Sequence, residues 1–146
     1  LEDLPRLDRM LEERPRDERM RLIGRRDLRS MNSWLHNFPS LVKGRDRCTL
    51  QVAPADARRL ALEHGGLAEL KTSVASVVVP VEVHDCMAEG VVSLPHGWGH
   101  DLPGVELSVA RTLPGVNTNR LLDDAEVDAP SGTSVLNGVP VEITPA

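Results

Sequence analysis

Three short stretches concentrate the side chains that could recognise a ligand. Asn32-Ser33-Trp34-Leu35-His36-Asn37 gathers amide, hydroxyl and imidazole groups around one indole. Pro95-His96-Gly97-Trp98-Gly99-His100 repeats the combination with two glycines, and Val116-Asn117-Thr118-Asn119-Arg120-Leu121 adds two amides and a guanidinium. An indole supplies a flat face, while amides and imidazoles satisfy the donors and acceptors at the edge of a heteroaromatic ring. Glycines beside them let backbone N–H groups approach an anion such as a phosphate. Each feature has a plainer explanation that stays open at this stage. A loop tryptophan can plug the end of a barrel, and loop asparagines commonly make turns with their own backbone.

Other candidates are weaker. Gly24-Arg25-Arg26-Asp27-Leu28-Arg29 runs straight into the first stretch. Arg29, three residues before Asn32, is the arginine best placed to fork onto a phosphate; Arg25 and Arg26 read equally well as surface arginines. His96 and His100 are four apart, but Gly97 and Gly99 argue against the helix a metal-binding pair would need, so no metal ligand is assigned. His64 and His84 read as surface histidines, and Asn137-Gly138 as a turn and nothing more. Cys48 and Cys86 are too few for a disulfide framework or a structural zinc site, and read as buried thiols in a reducing, cytoplasmic setting. No partner poises Cys86 as a nucleophile, and there is no phosphate-binding glycine loop and no G-x-S-x-G.

These loops need a scaffold. The chain has 146 residues, 40% of them hydrophobic but only 2% aromatic, with no Tyr, so Val, Leu, Ile and Ala must build the core. Eleven glycines and eleven prolines favour a turn-rich β architecture over a helical bundle. A net charge of −5 argues against general polyanion and nucleic-acid binding. No apolar run approaches the roughly 20 residues of a membrane span, and no signal-peptide pattern opens the chain. The opening Leu1, in place of Met, suggests a fragment of a longer polypeptide.

Residues 1–20 read as a charged linker or strap, with Leu1, Leu4, Leu7 and Leu11 at near-helical spacing and Pro15 as an interruption. Residues 21–146 read as one domain. Strands are expected at Met20–Gly24, Thr49–Val52, Leu67–Thr72, Ser76–Val83, Gly90–Leu94, Glu106–Ala110 and Val139–Ile143. Pro54 and Asp56 open a helix of two to three turns, with Leu60 facing inward and Gly65-Gly66 as its stop. The stretch from Asp27 to Gly44 is a long polar loop, and DAPSG another. The class is mainly β, a barrel or sandwich with one or two short helices.

In their order and spacing, GRRDLRSMNSWLHN, TLQVAPADARRLAL, GVVSLPHGWGH and VNTNRLLDDAEVDAPSG with the strand PVEI resemble the C-terminal molybdopterin-dinucleotide-binding domain of molybdenum and tungsten oxidoreductases, such as formate dehydrogenases and nitrate reductases. The resemblance spans Met20 to Ile143. It implies a double-psi β-barrel similar to that of aspartate decarboxylase. It also implies a domain that closes over molybdopterin guanine dinucleotide, with Mo or W held elsewhere in the enzyme. By position, Arg29, Asn32, Ser33, Trp34, His36 and Asn37 would form a first ligand-facing loop. His96, Gly97 and Trp98 would form a second, and Asn119 with Asn117 and Asp128 a third.

The chain departs from the family pattern around its helix: Ala53 replaces a polar residue before the proline, Ala61 a glycine, and Gly66 an acidic residue. The family's metal-binding residue and any iron–sulfur cysteines belong to earlier domains, and Cys48 and Cys86 match neither. The chain alone is therefore expected to catalyse nothing. Its partners would be the preceding domains of the same polypeptide and the pterin cofactor. The rival reading is an adaptor barrel without cofactor, using the leucine-bearing strap for docking. A self-processing decarboxylase is disfavoured, since Ser131-Gly132 is in the wrong order.

Overall fold

The segment SVVVPVEV alternates in burial: Val77, Val79 and Val81 point into the core, while Ser76 and Val78 are exposed. That period of two is the signature of a strand with one face on a core. The computed structural model describes residues 4–12 and 18–146. Its strands are β1 (Met20–Arg25), β2 (Leu50–Val52), β3 (Leu67–Lys71), β4 (Ser76–Val83), β5 (Val91–Pro95), β6 (Val127–Asp128), β7 (Thr133–Ser134) and β8 (Val139–Pro145). Six of them close into a barrel in the order β1-β5-β2-β4-β3-β8, while β6 and β7 form a separate ribbon.

Two pairs are parallel, β1 with β5 and β2 with β4; the other four barrel pairings are antiparallel. A parallel pair cannot be joined by a tight hairpin, so long crossovers must span the barrel ends. This closed arrangement is the expected mainly-β, double-psi barrel. The long crossovers carry the polar stretches that could bind a ligand. The interior is aliphatic: Leu22, Leu50, Leu70, Leu94 and Leu121 pack with Val52, Val79, Val92 and Val141, and no aromatic ring enters the barrel core. Removing such a leucine to Ala would cost about 2–5 kcal/mol.

Helix α1 (Leu4–Glu12) precedes the barrel with Leu4 exposed, and α2 (Pro39–Val42) is a single turn in the first long loop. Leu1 and Pro15 of the expected strap lie outside the described residues, as do the side chains of Leu7 and Leu11. Helix α3 (Pro54–Arg59) starts at Pro54 and, with Ala53 before it, has no side-chain cap. Its buried Asp56 accepts a hydrogen bond from the Gly90 N–H at 2.7 Å and pairs with Arg59 at 2.7 Å, tying the helix to the turn before β5.

Some expectations are corrected. The helix ends well before Gly65-Gly66. Ala61 adopts the left-handed conformation (φ +53°), Leu62 N–H reaches back to the Ala57 carbonyl and Ala61 N–H to that of Arg58. These are the bonds of a Schellman stop, made with Ala where Gly is usual. Glu106–Ala110 is not a strand: the Asn37 side chain accepts from the Val109 and Ala110 N–H groups, and a 3-10 turn follows at Ala110–Thr112. The DAPSG stretch holds the β6–β7 ribbon where a plain loop was expected. Cys86 is exposed, and only Cys48 is buried.

Ala61 carries a backbone penalty that Gly would not, roughly 1–2 kcal/mol. Ala61→Gly is expected to stabilise the chain by about 1 kcal/mol, read as a higher denaturant midpoint at unchanged slope.

Candidate ligand-binding site

Strand β1 delivers the first loop. Asp27 accepts the Arg29 N–H at 2.8 Å, and two consecutive residues, Met31 (φ 42°) and Asn32 (φ 64°), turn the chain left-handed before the 3-10 turn Trp34–Asn37. The second loop leaves β5 and crosses the first at Gly97. There a Cβ would lie 1.7 Å from the Asn32 carbonyl oxygen. A Cβ on Gly99 would lie 2.6 Å from the Asn117 Cβ, and one on Gly115 2.7 Å from the Cys48 sulfur. Gly99 N–H bonds the Pro114 carbonyl at 2.8 Å, and the Thr118 hydroxyl donates to the Pro95 carbonyl at 2.8 Å. The three stretches singled out in the sequence therefore pack as one unit at one end of the barrel.

A cleft of about 210 Å³ opens beside that unit, and Arg26, His96, Asn119 and Asn137 line it. Arg26 donates to the Asn32 side-chain oxygen, which links the first loop to the cleft wall. Asn137 accepts the Gly24 N–H at 2.7 Å, so the turn into β8 is latched to β1. Two of these residues were missed. Arg26 reads from sequence as a surface arginine and Asn137 as a turn residue. The one signal for Asn137 was its place before a strand that could flank β1.

The other expected residues are dispersed. Asn32 is exposed and Ser33 half-buried; Arg29 is exposed and lies away from the cleft. Trp34 is 74% exposed, and Leu28, Met31 and Phe38 of the same loop are exposed as well. Asn37 spends its side-chain oxygen on the 3-10 turn after Val109. Asn117 accepts the Asn119 N–H and lines a different cleft, about 220 Å³, together with Asp101 and Arg120. Asp128 turns onto its own ribbon, accepting from Ser131 N–H and hydroxyl.

His36 and Trp98 do not face outward. His36 is 1% exposed, and Trp98 is buried with its ring stacked on the imidazole at 4.0 Å. His36 Nδ1 lies 2.7 Å from His100 Nε2, and its Nε2 lies 2.7 Å from the Ser30 hydroxyl. Burial, and then the neighbouring His100, push His36 down to about 4; burial lowers His100 too, against the field of Asp101. The indole Nε1 of Trp98 is buried and without a hydrogen-bond partner among the described residues.

Next to this unit the Arg25 guanidinium bonds the carbonyls of Ser93 (2.6 Å) and Arg47 (3.2 Å) and the Thr49 hydroxyl (3.0 Å). Its burial lowers its pKa, opposed first by the charge of Glu82. Burial pushes the Glu82 carboxyl upward, yet hydrogen bonds from Thr49 and Gln51, with Arg45 and Arg25 nearby, outweigh it and hold the group below its ordinary value. These arginines are spent on the protein itself. Cys48, pushed up to about 11 by burial, is no nucleophile. Among the described residues no three His, Cys, Asp or Glu side chains gather as metal ligands. The arrangement suits binding through a cation, an imidazole and two amides.

Comparison with known proteins gives the family. The family model described as "Molydopterin dinucleotide binding domain" matches residues 20–140. The chain is 29% identical over 122 residues to the molybdopterin-containing chain of the arsenate respiratory reductase of Chrysiogenes arsenatis, covering 77% of this chain and 14% of that one. It is 27% identical over 131 residues to a tetrathionate reductase chain of Salmonella typhimurium, covering 78% and 13%. The solved structure of acetylene hydratase from Pelobacter acetylenicus shares the fold, with TM-score 0.67 at 19% identity, over 99% of this chain and 20% of that one. The chain thus spans about a seventh of the length of the curated relatives it matches.

Gly97 and Gly104 have nearly the same φ, +90° and +87°, but nothing lies within 4 Å of a Cβ on Gly104. Gly104→Ala should therefore cost only the backbone penalty, about 1 kcal/mol. Gly97→Ala should cost more than about 3 kcal/mol, since it also drives two loops apart. Equilibrium denaturation of the two variants checks the difference.

Proposed function

This chain belongs to the molydopterin dinucleotide binding domain family, and from that membership we propose that it holds the guanine dinucleotide form of the cofactor at the cleft between β1 and its three loops, as one domain of a larger oxidoreductase. The observation that carries the proposal is the meeting of Arg26, His96, Asn119 and Asn137 at one opening. That donor set fits the group. A guanidinium and an imidazole suit phosphate oxygens, and primary amides, each both donor and acceptor, suit the edges of pterin and guanine. Gly97, bare of a Cβ, lets the second loop lie against the Asn32 carbonyl, next to His96 of the cleft.

When bound, the cofactor supplies the redox chemistry. The residues of this chain bind and orient it. Arg26, braced by Asn32, places positive charge on one wall. Asn137, braced by Gly24, and Asn119 fix the edge contacts from the other. None of these groups transfers a proton or electron in the proposal. Mo or W would be held by residues outside this chain. The matched relatives are an arsenate and a tetrathionate reductase, so the formate dehydrogenase or nitrate reductase assignment expected from the sequence is cut back to an oxidoreductase of unassigned substrate. The exposure of Leu28, Met31, Trp34 and Phe38 supports contact with other domains of the same polypeptide, where an isolated adaptor would leave them in water.

The test uses the full-length polypeptide expressed in a host that makes the cofactor. His96→Ala combined with Asn119→Ala should weaken cofactor binding at least about tenfold, equivalent to about 1.4 kcal/mol, and lower pterin and metal content accordingly. The midpoint of thermal unfolding should barely move, because neither side chain braces the barrel. Full pterin and metal occupancy in the double variant would sink the assignment.

A further inference from the structure

Ser30, His36 and His100 form a buried hydrogen-bonded chain that the ligand cleft does not use. It joins the 3-10 turn of the first loop to the end of the second. In the neutral pair one proton serves each link: one imidazole donates and the other accepts across 2.7 Å, and Ser30 completes the series at 2.7 Å. Trp98 covers the His36 face, and His100 meets that ring edge-on at 82°.

The number of protons on the pair makes this arrangement bistable. One added proton turns both His36 nitrogens into donors, so the two bonds survive but a charge is buried. A second leaves two N–H groups facing each other across the same gap, and the contact must break. The charged groups nearby do not offset this. Asp27 favours the cation from the start of the loop, Arg47 opposes it from the segment before β2, and Asp101 favours it beside His100. Among the described residues neither imidazole has an ion-pair partner.

We propose that Ser30–His36–His100 is a proton-sensitive latch, which when neutral pins the first loop to the second beside the cleft and on proton uptake frees the first loop. That the freed loop then releases a pterin dinucleotide rests on the binding role proposed above. The pH range follows from the closed state resisting protonation to about 4, against an ordinary value of 6.5. The open state takes up protons that the closed state does not, so the latch is at full strength above 6.5. It weakens as pH falls from there through about 4.

Hydrogen exchange read by mass spectrometry on the full-length polypeptide tests this, with pH 7.5 and pH 5.0 compared after correction for intrinsic exchange. Segment 28–38 should open at least tenfold more at pH 5.0, while β4 keeps its protection. His36→Gln combined with His100→Gln, which retains a hydrogen-bonding pair without a titration, should remove the pH dependence. Exchange of the imidazole Cε1 proton, which reports the histidine pKa, covers the case in which that variant fails to fold: His36 must titrate well below 6.5. A loop equally protected at both pH values overturns the latch. So do a Gln pair with unchanged pH dependence, β4 opening together with the loop, or an ordinary titration of His36. Pterin content measured in parallel separates the two proposals. Protein empty of pterin at every pH defeats the binding role and leaves the latch standing. Pterin held unchanged while the loop opens overturns the release.

Discussion

Three loops can share one end of this barrel only because bare glycine backbone lies directly against its neighbours where they cross. Gly97 lies against the Asn32 carbonyl, Gly99 against Asn117, and Gly115 against Cys48 and the Trp98 ring. A methyl group at any of them would have to occupy space that another chain segment already fills. The cleft depends on these crossings. His96 immediately precedes Gly97, Asn119 follows Asn117 by two residues, and Arg26 is braced by the side chain of Asn32. The positive φ that these glycines adopt comes without strain. Met31 and Asn32 adopt it against their side chains, and so hold the first loop in its sharp turn at a conformational cost.

The shortage of aromatics sharpens what each one does. The barrel is filled by leucine and valine, which are compact enough for a closed six-stranded interior. Of the three aromatic residues, only Trp98 is buried, and it packs outside the barrel on His36. It therefore acts as filler between loops, supplying there the apolar area that the barrel supplies for itself. Trp34 and Phe38 remain outside on the same loop that His36 anchors inside. One short 3-10 turn thus sends side chains two residues apart in opposite directions, with the His36 imidazole into the protein and the Trp34 indole into solvent.

Much of the barrel was legible because its signals are local. Alternation around Val77, Val79 and Val81 marks a strand, and Pro54 with Asp56 marks a helix start. The ligand loops were legible as polar stretches around tryptophan, but not the direction of each side chain within them. His36 and Trp98 look like ligand groups in sequence. They are buried because each finds its partner in the other loop, a contact 62 residues away in the chain. Asn137 was read as a turn residue because its partner, Gly24, lies 113 residues earlier. Ala61 illustrates the reverse failure: helix ends are usually marked by glycine, and here the local Schellman bonds of Leu62 and Ala61 are made with a left-handed alanine that propensity disfavours.

The size of the cleft decides what kind of binding this chain performs. At about 210 Å³ it is smaller than the roughly 300–1,000 Å³ of pockets that enclose a drug-sized ligand. A dinucleotide is larger still, so in the binding role proposed above this surface would cover only one side of it. Affinity at a half-site is weak, because the cost of immobilising the ligand is set against only part of its contacts. Rigid walls reduce that cost. Arg26 and Asn137 are held in place by Asn32 and Gly24 before any ligand arrives, and the His36–His100 contact ties the first loop to the second. A binding role of this kind accounts for the hydrogen-bonding groups gathered at one end of a barrel whose described residues hold no metal-ligand cluster.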